Sequence, residues 1–213
     1  MTDPARMARA FDELAEDYDD DHHDDVARAL LALMPTSAGQ DRIADVACGS
    51  GAAALAMART RPSAATPILA VDLSAGMITA GRARAARLGL GHAIDWRVGP
   101  AVPLPVADAG LDLIVCASSL HFLGTRALSD WRRALRPGGR VAFTLPAASG
   151  FRPSGVFADL VAADLPLPHT AEDARTLATT AGFTDVDARV ITVGSRSVAL
   201  TAATNPAVPV RHA

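Results

Sequence analysis

Lysine is missing from this chain of 213 residues, and all 20 of its basic residues are arginine. That absence excludes mechanisms that need a lysine side chain, such as Schiff-base chemistry, a P-loop lysine or the Tyr-x-x-x-Lys pair of short-chain dehydrogenases. Cysteine is scarce as well, because only Cys48 and Cys116 occur, in apolar strand-like segments without metal-ligand spacing. We therefore expect neither a disulfide framework nor a zinc site, and both cysteines are predicted to pack in the core.

The chain also lacks an excess of positive charge and any long apolar run. Its net charge of −3 does not suit a protein that tracks phosphate backbones, so nucleic acid is not an expected partner. No stretch approaches the ~20 apolar residues of a membrane span, and the first residues show no signal-peptide pattern. These absences predict a cytoplasmic protein that does not bind membranes.

Half of the residues are hydrophobic, which is enough for one sizeable core at this length. From residue 42 onward, strand and helix patterns alternate, which predicts a parallel sheet covered by helices. Strands are predicted at 42–47, 68–72, 93–98, 111–117 and 140–145, with helices at 52–59, 74–88 and 125–135. Two further strands, 185–193 and 196–203, are separated by a short gap that suits a hairpin. The expected fold class is α/β, a Rossmann-like three-layer sandwich with a mostly parallel seven-stranded sheet and a C-terminal antiparallel hairpin.

Segments outside the sheet divide the chain into three parts. An N-terminal helical lid is expected at 1–40, a core at 41–204 and a flexible tail at 205–213. The lid contains an amphipathic helix that starts at Asp3-Pro4 and a second helix at 26–34. Between them, residues 16–25 hold six Asp and two His, so this acidic segment must be solvated or face a cation. Further helices are predicted at 155–164 and 171–181.

The most informative motif is Asp45-Val-Ala-Cys-Gly-Ser-Gly51, between the first strand and its helix. Gly49 and Gly51 allow a tight turn and a close approach to a ligand, and the helix start beyond them presents free N–H groups. Asp72 ends the second strand 21 positions after Gly51, where a carboxylate can accept hydrogen bonds from the hydroxyls of an adenosine ribose. Together these features predict an adenosine-containing cofactor.

With these motifs the chain resembles the class I methyltransferases that depend on S-adenosylmethionine (SAM), particularly the small-molecule branch of ubiquinone and menaquinone methyltransferases. The resemblance covers roughly residues 10–193 and includes Ala70-Val-Asp-Leu-Ser74, Pro103-Leu-Pro followed by residues 110–115, Ser118-Ser-Leu-His-Phe122, and residues 131–141. It implies SAM as the cofactor. The cofactor-binding residues it implies are Tyr18 in the lid, Asp45, Ala47, Cys48, Gly49, Ser50 and Gly51 in the glycine loop, Asp72, Leu73 and Met77 after the second strand, Gly99, Pro100 and Ala101 after the third, and Ala117 and Ser118 after the fourth.

One position departs from the pattern of this family. After the third strand the family often has Gly-Asp, whose carboxylate accepts from the adenine amino group, whereas this chain has Gly99-Pro100. The resemblance then implies that the contact is lost or made by backbone at Ala101. Loss of one charged hydrogen bond costs about 1.5 to 3 kcal/mol of affinity.

Methyl transfer is an in-line displacement that needs alignment and the exclusion of water, and an oxygen nucleophile gains from a general base. His121, in the loop after the fourth strand, is the first candidate for that base, and a structural histidine is the alternative. His22 and His23 are further candidates. Asp20, His22 and Asp24 together could instead hold a divalent metal, although a solvated lid segment is the commoner arrangement and no metal is expected.

The expected function is SAM-dependent methylation of a small molecule, on an oxygen of a secondary metabolite or quinone-like compound. Two alternatives stay open. The first is a nicotinamide-dependent oxidoreductase, because residues 49–54 also fit the pattern G-x-G-x-x-A. The second is a methyltransferase-like protein that uses bound SAM without transfer, in a biosynthetic cyclisation. A small-molecule substrate and a possible homodimer complete the expected partners.

Overall fold

The computed structural model describes residues 3–15, 18, 20–34, 41–62 and 65–207. Its strands are β1 (Ile43–Val46), β2 (Ile68–Asp72), β3 (Ile94–Val98), β4 (Leu111–Cys116), β5 (Leu135–Pro146), β6 (Thr184–Val193) and β7 (Arg196–Thr204). Its helices are α1 (Pro4–Leu14), α2 (Asp20–Leu31), α3 (Ala52–Ala58), α4 (Ala75–Arg87), α5 (Leu120–Leu123), α6 (Thr125–Ala134), α7 (Val156–Leu160) and α8 (Ala171–Thr180), and a 3-10 turn covers Gly91–Ala93.

The seven strands form one sheet in the order β3-β2-β1-β4-β5-β7-β6. Strands β1 to β5 pair in parallel, and β7 runs antiparallel to both β5 and β6. The predicted fold class is therefore confirmed, including the C-terminal hairpin. The chain changes direction across the sheet between β1 and β4, and ligands of such sheets bind where the loops at the carboxyl ends of these strands part.

Two apolar layers cover the two faces of the sheet. Helices α2, α3 and α4 bury residues such as Leu30, Leu55 and Ile78 on one face. Helices α5 and α6 bury Leu128 and Trp131 on the other. Because both faces are covered, the central strands are mostly apolar, and all four residues of β1, including Asp45, are buried.

Helix α2 begins at Asp20, six residues before the predicted start, so that prediction was wrong. The first turns of α2 are rich in Asp, which gives no apolar periodicity to detect. Negative side chains are nevertheless favourable at a helix N-terminus, because they face the positive end of the helix dipole. The sequence also did not predict the one-turn helix α5, and α7 is shorter than the predicted helix at 155–164.

The division into lid, core and tail stays a prediction, and two observations bear on it. Val26, Ala27 and Leu30 of α2 are fully buried against the core. The side-chain amide of Asn205 donates to the carbonyl oxygen of Leu135 at 3.0 Å. Residues 208–213 lie outside the described residues. Among the helices that the structure describes, none is long and apolar enough to cross a membrane.

Candidate active site

The loops after β1 and β4 have unusual backbone conformations. Gly49 and Gly51 have φ values of 54° and 84°, and two non-glycine residues, Ala47 (51°) and Ser118 (65°), also lie in the left-handed region. This conformation is costly for a residue with a Cβ, and it persists only where the surroundings impose it. Here the Ser118 N–H donates to Thr144 Oγ1 at 2.7 Å, and Ser119 Oγ donates to the Ala47 carbonyl at 3.0 Å. The two loops are thus tied to each other and to β5.

Gly51 is required by a close packing contact as well as by its backbone angle. A Cβ placed on Gly51 would lie 2.2 Å from Cη2 of Trp96 on β3, and one placed on Gly81 of α4 would lie 2.4 Å from the same ring. The Trp96 indole therefore fills the space that two glycines leave open. This packing determines how closely α3 and α4 approach β3 and so sets the position of the glycine loop.

Asp72 connects the end of β2 with the glycine loop. Its Oδ2 accepts from the Gly49 N–H at 2.8 Å, and its Oδ1 accepts from the Ser74 N–H at 2.9 Å. Burial raises the pKa of Asp72, and the hydrogen bonds from Ser74, Gly49 and Leu73 oppose that increase. Each carboxylate oxygen has a second lone pair. Asp72 can therefore hold the loop in place and still accept hydrogen bonds from a ligand.

Asp45 is buried beneath the loop. Its Oδ2 accepts from the Ala54 N–H at 2.8 Å, and its residue exposure is 1 %. The pKa of Asp45 is raised to about 8, chiefly by burial; the hydrogen bond from Ala54 opposes this increase, and the nearby charge of Asp72 adds to it. Asp45 thus caps the first turn of α3 from inside the protein.

A first cavity opens at the carboxyl ends of β1, β2 and β4. Its empty space, counted together with the solvent at its mouth, is about 780 Å³. Seven of the predicted cofactor residues line it: Tyr18, Ala47, Gly49, Asp72, Leu73, Pro100 and Ala101. Helix α1 forms the opposite wall. The Tyr18 hydroxyl lies over the loop, 3.4 Å from the position of a Cβ on Gly49.

The other predicted cofactor residues do not line this cavity. They are Asp45, Cys48, Ser50, Gly51, Met77, Gly99, Ala117 and Ser118. Several of them support the walls instead: Met77 N–H donates to Ser74 Oγ at 3.0 Å, Arg84 donates to Ser50 Oγ at 3.0 Å, and Gly99 N–H donates to the Asp72 carbonyl at 2.9 Å. Cys48 and Cys116 are buried free thiols, which confirms their predicted packing role.

Contacts from three of its residues hold α1 over the first cavity. Asp12 Oδ1 accepts from Ser74 Oγ at 2.6 Å and from the Gly76 N–H at 2.8 Å, at the start of α4. These two hydrogen bonds lower the pKa of Asp12. Phe11 packs against Phe122 and Phe157, and Arg6 pairs with Asp159 of α7 at 2.6 Å. Helix α1 is therefore anchored to both sides of the cleft that it covers.

A second cavity adjoins the first and measures about 1180 Å³ out to its mouth. Phe11, Tyr18, Ser119 and Phe122 line both cavities and form the boundary between them. All three candidate bases, His22, His23 and His121, line the second cavity, as does Ser118. The arrangement provides two adjoining compartments, one beside the glycine loop and one that contains the histidines.

His121 is buried among aromatic rings. It is 6 % exposed and packs against Phe122 and Phe151, with ring centroids 4.0 and 5.1 Å away. Burial, and to a smaller extent the nearby His23, lowers the pKa of His121 to about 3. An effective base has a pKa near the working pH. His121 lines the second cavity, and its role as a base stays a prediction.

Asp24, His22 and His23 of the acidic segment contact other residues of the protein. Both oxygens of Asp24 accept from Arg84 Nη2, at 2.8 and 2.7 Å, so Asp24 is not a vacant metal ligand. His23 stacks on Tyr18 with ring centroids 4.6 Å apart, and His22 meets His23 edge to face. Residues 16, 17 and 19 and the side chain of Asp20 lie outside the described part of the chain. In the part that is described, no group of three potential ligands forms a metal site.

Comparison with known proteins shows which proteins the sequence of this chain resembles. Residues 43–139 match the family model described as "Methyltransferase domain". The malonyl-[acyl-carrier protein] O-methyltransferase of Geobacter sulfurreducens is 38% identical over 152 residues, which cover 68% of this chain and 54% of that protein. The UbiE ubiquinone/menaquinone C-methyltransferase of Dinoroseobacter shibae is 38% identical over 116 residues, with coverages of 53% and 45%. Over residues 43–139 the chain is therefore similar to methyltransferases.

Solved structures agree with this assignment at the level of the fold. A SAM-dependent methyltransferase from Aquifex aeolicus aligns with a TM-score of 0.61 and 18% identity, over 95% of this chain and 99% of that one. The [4+2]-cyclase SpnF aligns with a TM-score of 0.66 and 20% identity, over 87% and 82%. The resemblance to class I methyltransferases, whose cofactor is SAM, is confirmed, and the nicotinamide alternative is not favoured. The chain spans about half the length of the curated relatives it matches.

Sequence reasoning missed several residues that shape this site. Thr144 and Ser119 accept or donate the hydrogen bonds that fix the strained loops, and the Trp96 ring packs against Gly51 and Gly81. Hydroxyl and indole groups on strands and loops form no distinctive sequence pattern. The phenylalanines of the second cavity come from α1, α5, α7 and the segment after β5. Spacing along the chain gives no signal for such a cluster, because its members meet only in the folded protein.

Proposed function

We propose that this protein is a SAM-dependent methyltransferase that acts on a small molecule. The observation that carries the proposal is the pair of adjoining cavities, one built on the glycine loop and Asp72, the other lined by aromatic and histidine side chains. A bisubstrate transfer needs two neighbouring sites with a passage between them. The relatives of similar sequence include both C- and O-methyltransferases. For this chain we propose an oxygen acceptor.

The first cavity has the chemistry to hold the cofactor. The free lone pairs of Asp72 can accept from the two ribose hydroxyls, and Gly49 has no Cβ that would fill the space below Tyr18. Leu73 and Ala101 offer apolar surface for the adenine ring. Pro100 has no carboxylate for the adenine amino group, so that contact falls to backbone. When bound, SAM supplies a methyl group on a positively charged sulfur.

The protein's own contribution to transfer is alignment and the exclusion of water. Helix α1 and Tyr18 cover the first cavity, and Asp12 and Phe11 hold that cover in place. Phe122 and Ser119 stand at the boundary where an acceptor oxygen would have to approach. Holding two reactants in line in a closed site removes much of the entropic cost of their meeting.

The proposal is tested by ligand-dependent melting of the purified chain. SAM and its product S-adenosylhomocysteine should raise the melting temperature, because a ligand that binds only the folded state stabilises it, whereas NAD should not. Asp72→Asn should weaken the binding of S-adenosylhomocysteine by about 10-fold or more, since a charged hydrogen bond contributes about 1.5–3 kcal/mol. Asp187→Asn is the control, because Asp187 pairs with Arg189 on the distant β6.

A shift with NAD alone would overturn the proposal. Release of S-adenosylhomocysteine together with a methylated acceptor distinguishes true transfer from the use of bound SAM without transfer, in which neither product forms.

A further inference from the structure

Aromatic side chains are rare in this protein and are concentrated in the second cavity. Aromatic residues make up 4% of the sequence, yet four of the six phenylalanines line this one space: Phe11, Phe122, Phe151 and Phe157. Phe11 lies 5.5 Å from Phe122 and 5.3 Å from Phe157, between ring centroids and at steep angles. The rest of the core is built mostly from Ala, Leu, Val and Ile. A wall of tilted rings presents faces and edges that suit a flat aromatic guest.

His121 offers one defined hydrogen bond in this apolar wall. Its Nδ1 is buried without a partner among the described residues, so a molecule in the cavity can be reached only by Nε2. A buried N–H without an acceptor is rarer than an unfilled lone pair. The proton of the neutral ring is therefore expected on Nε2, and the low pKa of His121 keeps the ring neutral at physiological pH. In that form His121 donates a hydrogen bond to an oxygen of the guest.

Arginine side chains contribute to the described lining of the second cavity. Arg152 and Arg196 line it, and no carboxylate does so among the residues that the structure describes. Arg152 is held in place because its Nη1 donates to the Phe151 carbonyl at 2.8 Å. The guanidinium therefore lies close to Phe151, and a guanidinium carries further N–H donors besides the one used in this contact. A fork of this kind pairs well with a carboxylate.

We infer that the acceptor is a planar aromatic hydroxy acid, bound with its ring among the four phenylalanines, its hydroxyl oxygen at His121 Nε2 and its carboxylate at Arg152. This inference rests on the proposed function. In the transfer, the bond from the hydroxyl oxygen to the methyl carbon forms and the bond from sulfur to that carbon breaks. The electron pair of the broken bond stays on sulfur, and the hydroxyl proton leaves to water. The hydrogen bond from His121 favours the ionised oxygen.

Three probe compounds separate the parts of this inference. The first, 3-hydroxy-2-naphthoate, has both the flat ring and the charge. Its methyl ester has the ring alone, and 10-hydroxydecanoate has the charge without a ring. With S-adenosylhomocysteine held at saturation, calorimetric titration should show the naphthoate binding about 10-fold more tightly than either of the others, as expected for one charged contact and one aromatic contact.

Variants test the residues. Arg152→Gln should reduce the affinity for the naphthoate to about that of its ester, and Arg87→Gln, at the exposed end of α4, should leave it unchanged. His121→Asn retains a donor and should preserve more of the affinity than His121→Phe.

Equal affinity for all three probes, or no binding of the naphthoate to a protein that still binds S-adenosylhomocysteine, would overturn the inference alone. An Arg152→Gln variant that keeps the preference for the naphthoate would do the same. A protein that does not bind S-adenosylhomocysteine would contradict the proposed function and this inference with it.

Discussion

Replacement of Gly51 by alanine tests the packing that positions the glycine loop. Gly51 has a φ of 84°, and the left-handed region costs a residue with a Cβ about 1–2 kcal/mol. The new Cβ would also lie 2.2 Å from Cη2 of Trp96, far inside van der Waals contact. Overpacking of this kind typically costs about 1–3 kcal/mol. The two effects together predict a loss of about 2–5 kcal/mol in the free energy of unfolding.

Gly89 is the matched control. Its φ is 69°, but a Cβ there meets nothing within 4 Å, so Gly89→Ala should lose only the backbone contribution. Urea unfolding followed by circular dichroism measures both variants, and the difference between them isolates the clash with Trp96. Trp96→Leu makes room and should reduce the cost of Gly51→Ala in a double-mutant cycle. If Gly51→Ala costs no more than Gly89→Ala, the account of this packing is wrong.

Three further changes test the groups around the cavities. Asp45 has a folded pKa of about 8, above its unfolded value, so the folded state holds an extra proton between about pH 4 and 8. The free energy of unfolding should therefore fall as pH rises through that window, by at most about 1.4 kcal/mol per pH unit, and Asp45→Asn should remove this slope. Asp12→Ala breaks the bonds to the start of α4 and should weaken the binding of S-adenosylhomocysteine a few-fold, because α1 covers that cavity. Thr144→Val leaves the Ser118 N–H without its acceptor, which should cost about 1–3 kcal/mol of stability and slow turnover.

Each of these changes has its own control. For Asp45, unfolding curves of the wild type and the variant that stay parallel from pH 5 to 8 would show that burial does not raise its pKa. Asp12→Asn keeps an oxygen acceptor and should lose less affinity than Asp12→Ala. Thr144→Ser keeps the hydroxyl and should behave like the wild type. Equal loss in Thr144→Ser and Thr144→Val would show that the hydroxyl does not hold the loop.

The strands were predictable because their apolar runs are bounded by glycine, proline and aspartate. Residues 68–72 form β2 as predicted, and the predicted helix cap at Ser74 is present, with its Oγ accepting from the Met77 N–H. The start of α2 was not predictable, since its first turns are acidic and carry no apolar pattern. Local periodicity detects a buried face but not a helix that begins in solvent-facing residues.

The candidate site was predictable where residue type itself restricts the backbone. Gly49 and Gly51 have the positive φ that the absence of a Cβ allows, and Asp72 lies at the end of its strand. Ala47 and Ser118 have the same kind of backbone without any such signal, because contacts from distant residues impose it. The lowered pKa of His121 arises from burial among phenylalanines, and burial is a property of the folded chain.

The most direct test of the account is a crystal structure of the protein with S-adenosylhomocysteine. The ribose hydroxyls should lie within hydrogen-bond distance of Asp72, and the amino-acid part of the ligand should lie against the glycine loop. The sulfur should face the boundary formed by Phe122 and Ser119. A nucleoside bound elsewhere, or a sulfur that points away from the second cavity, would contradict the account.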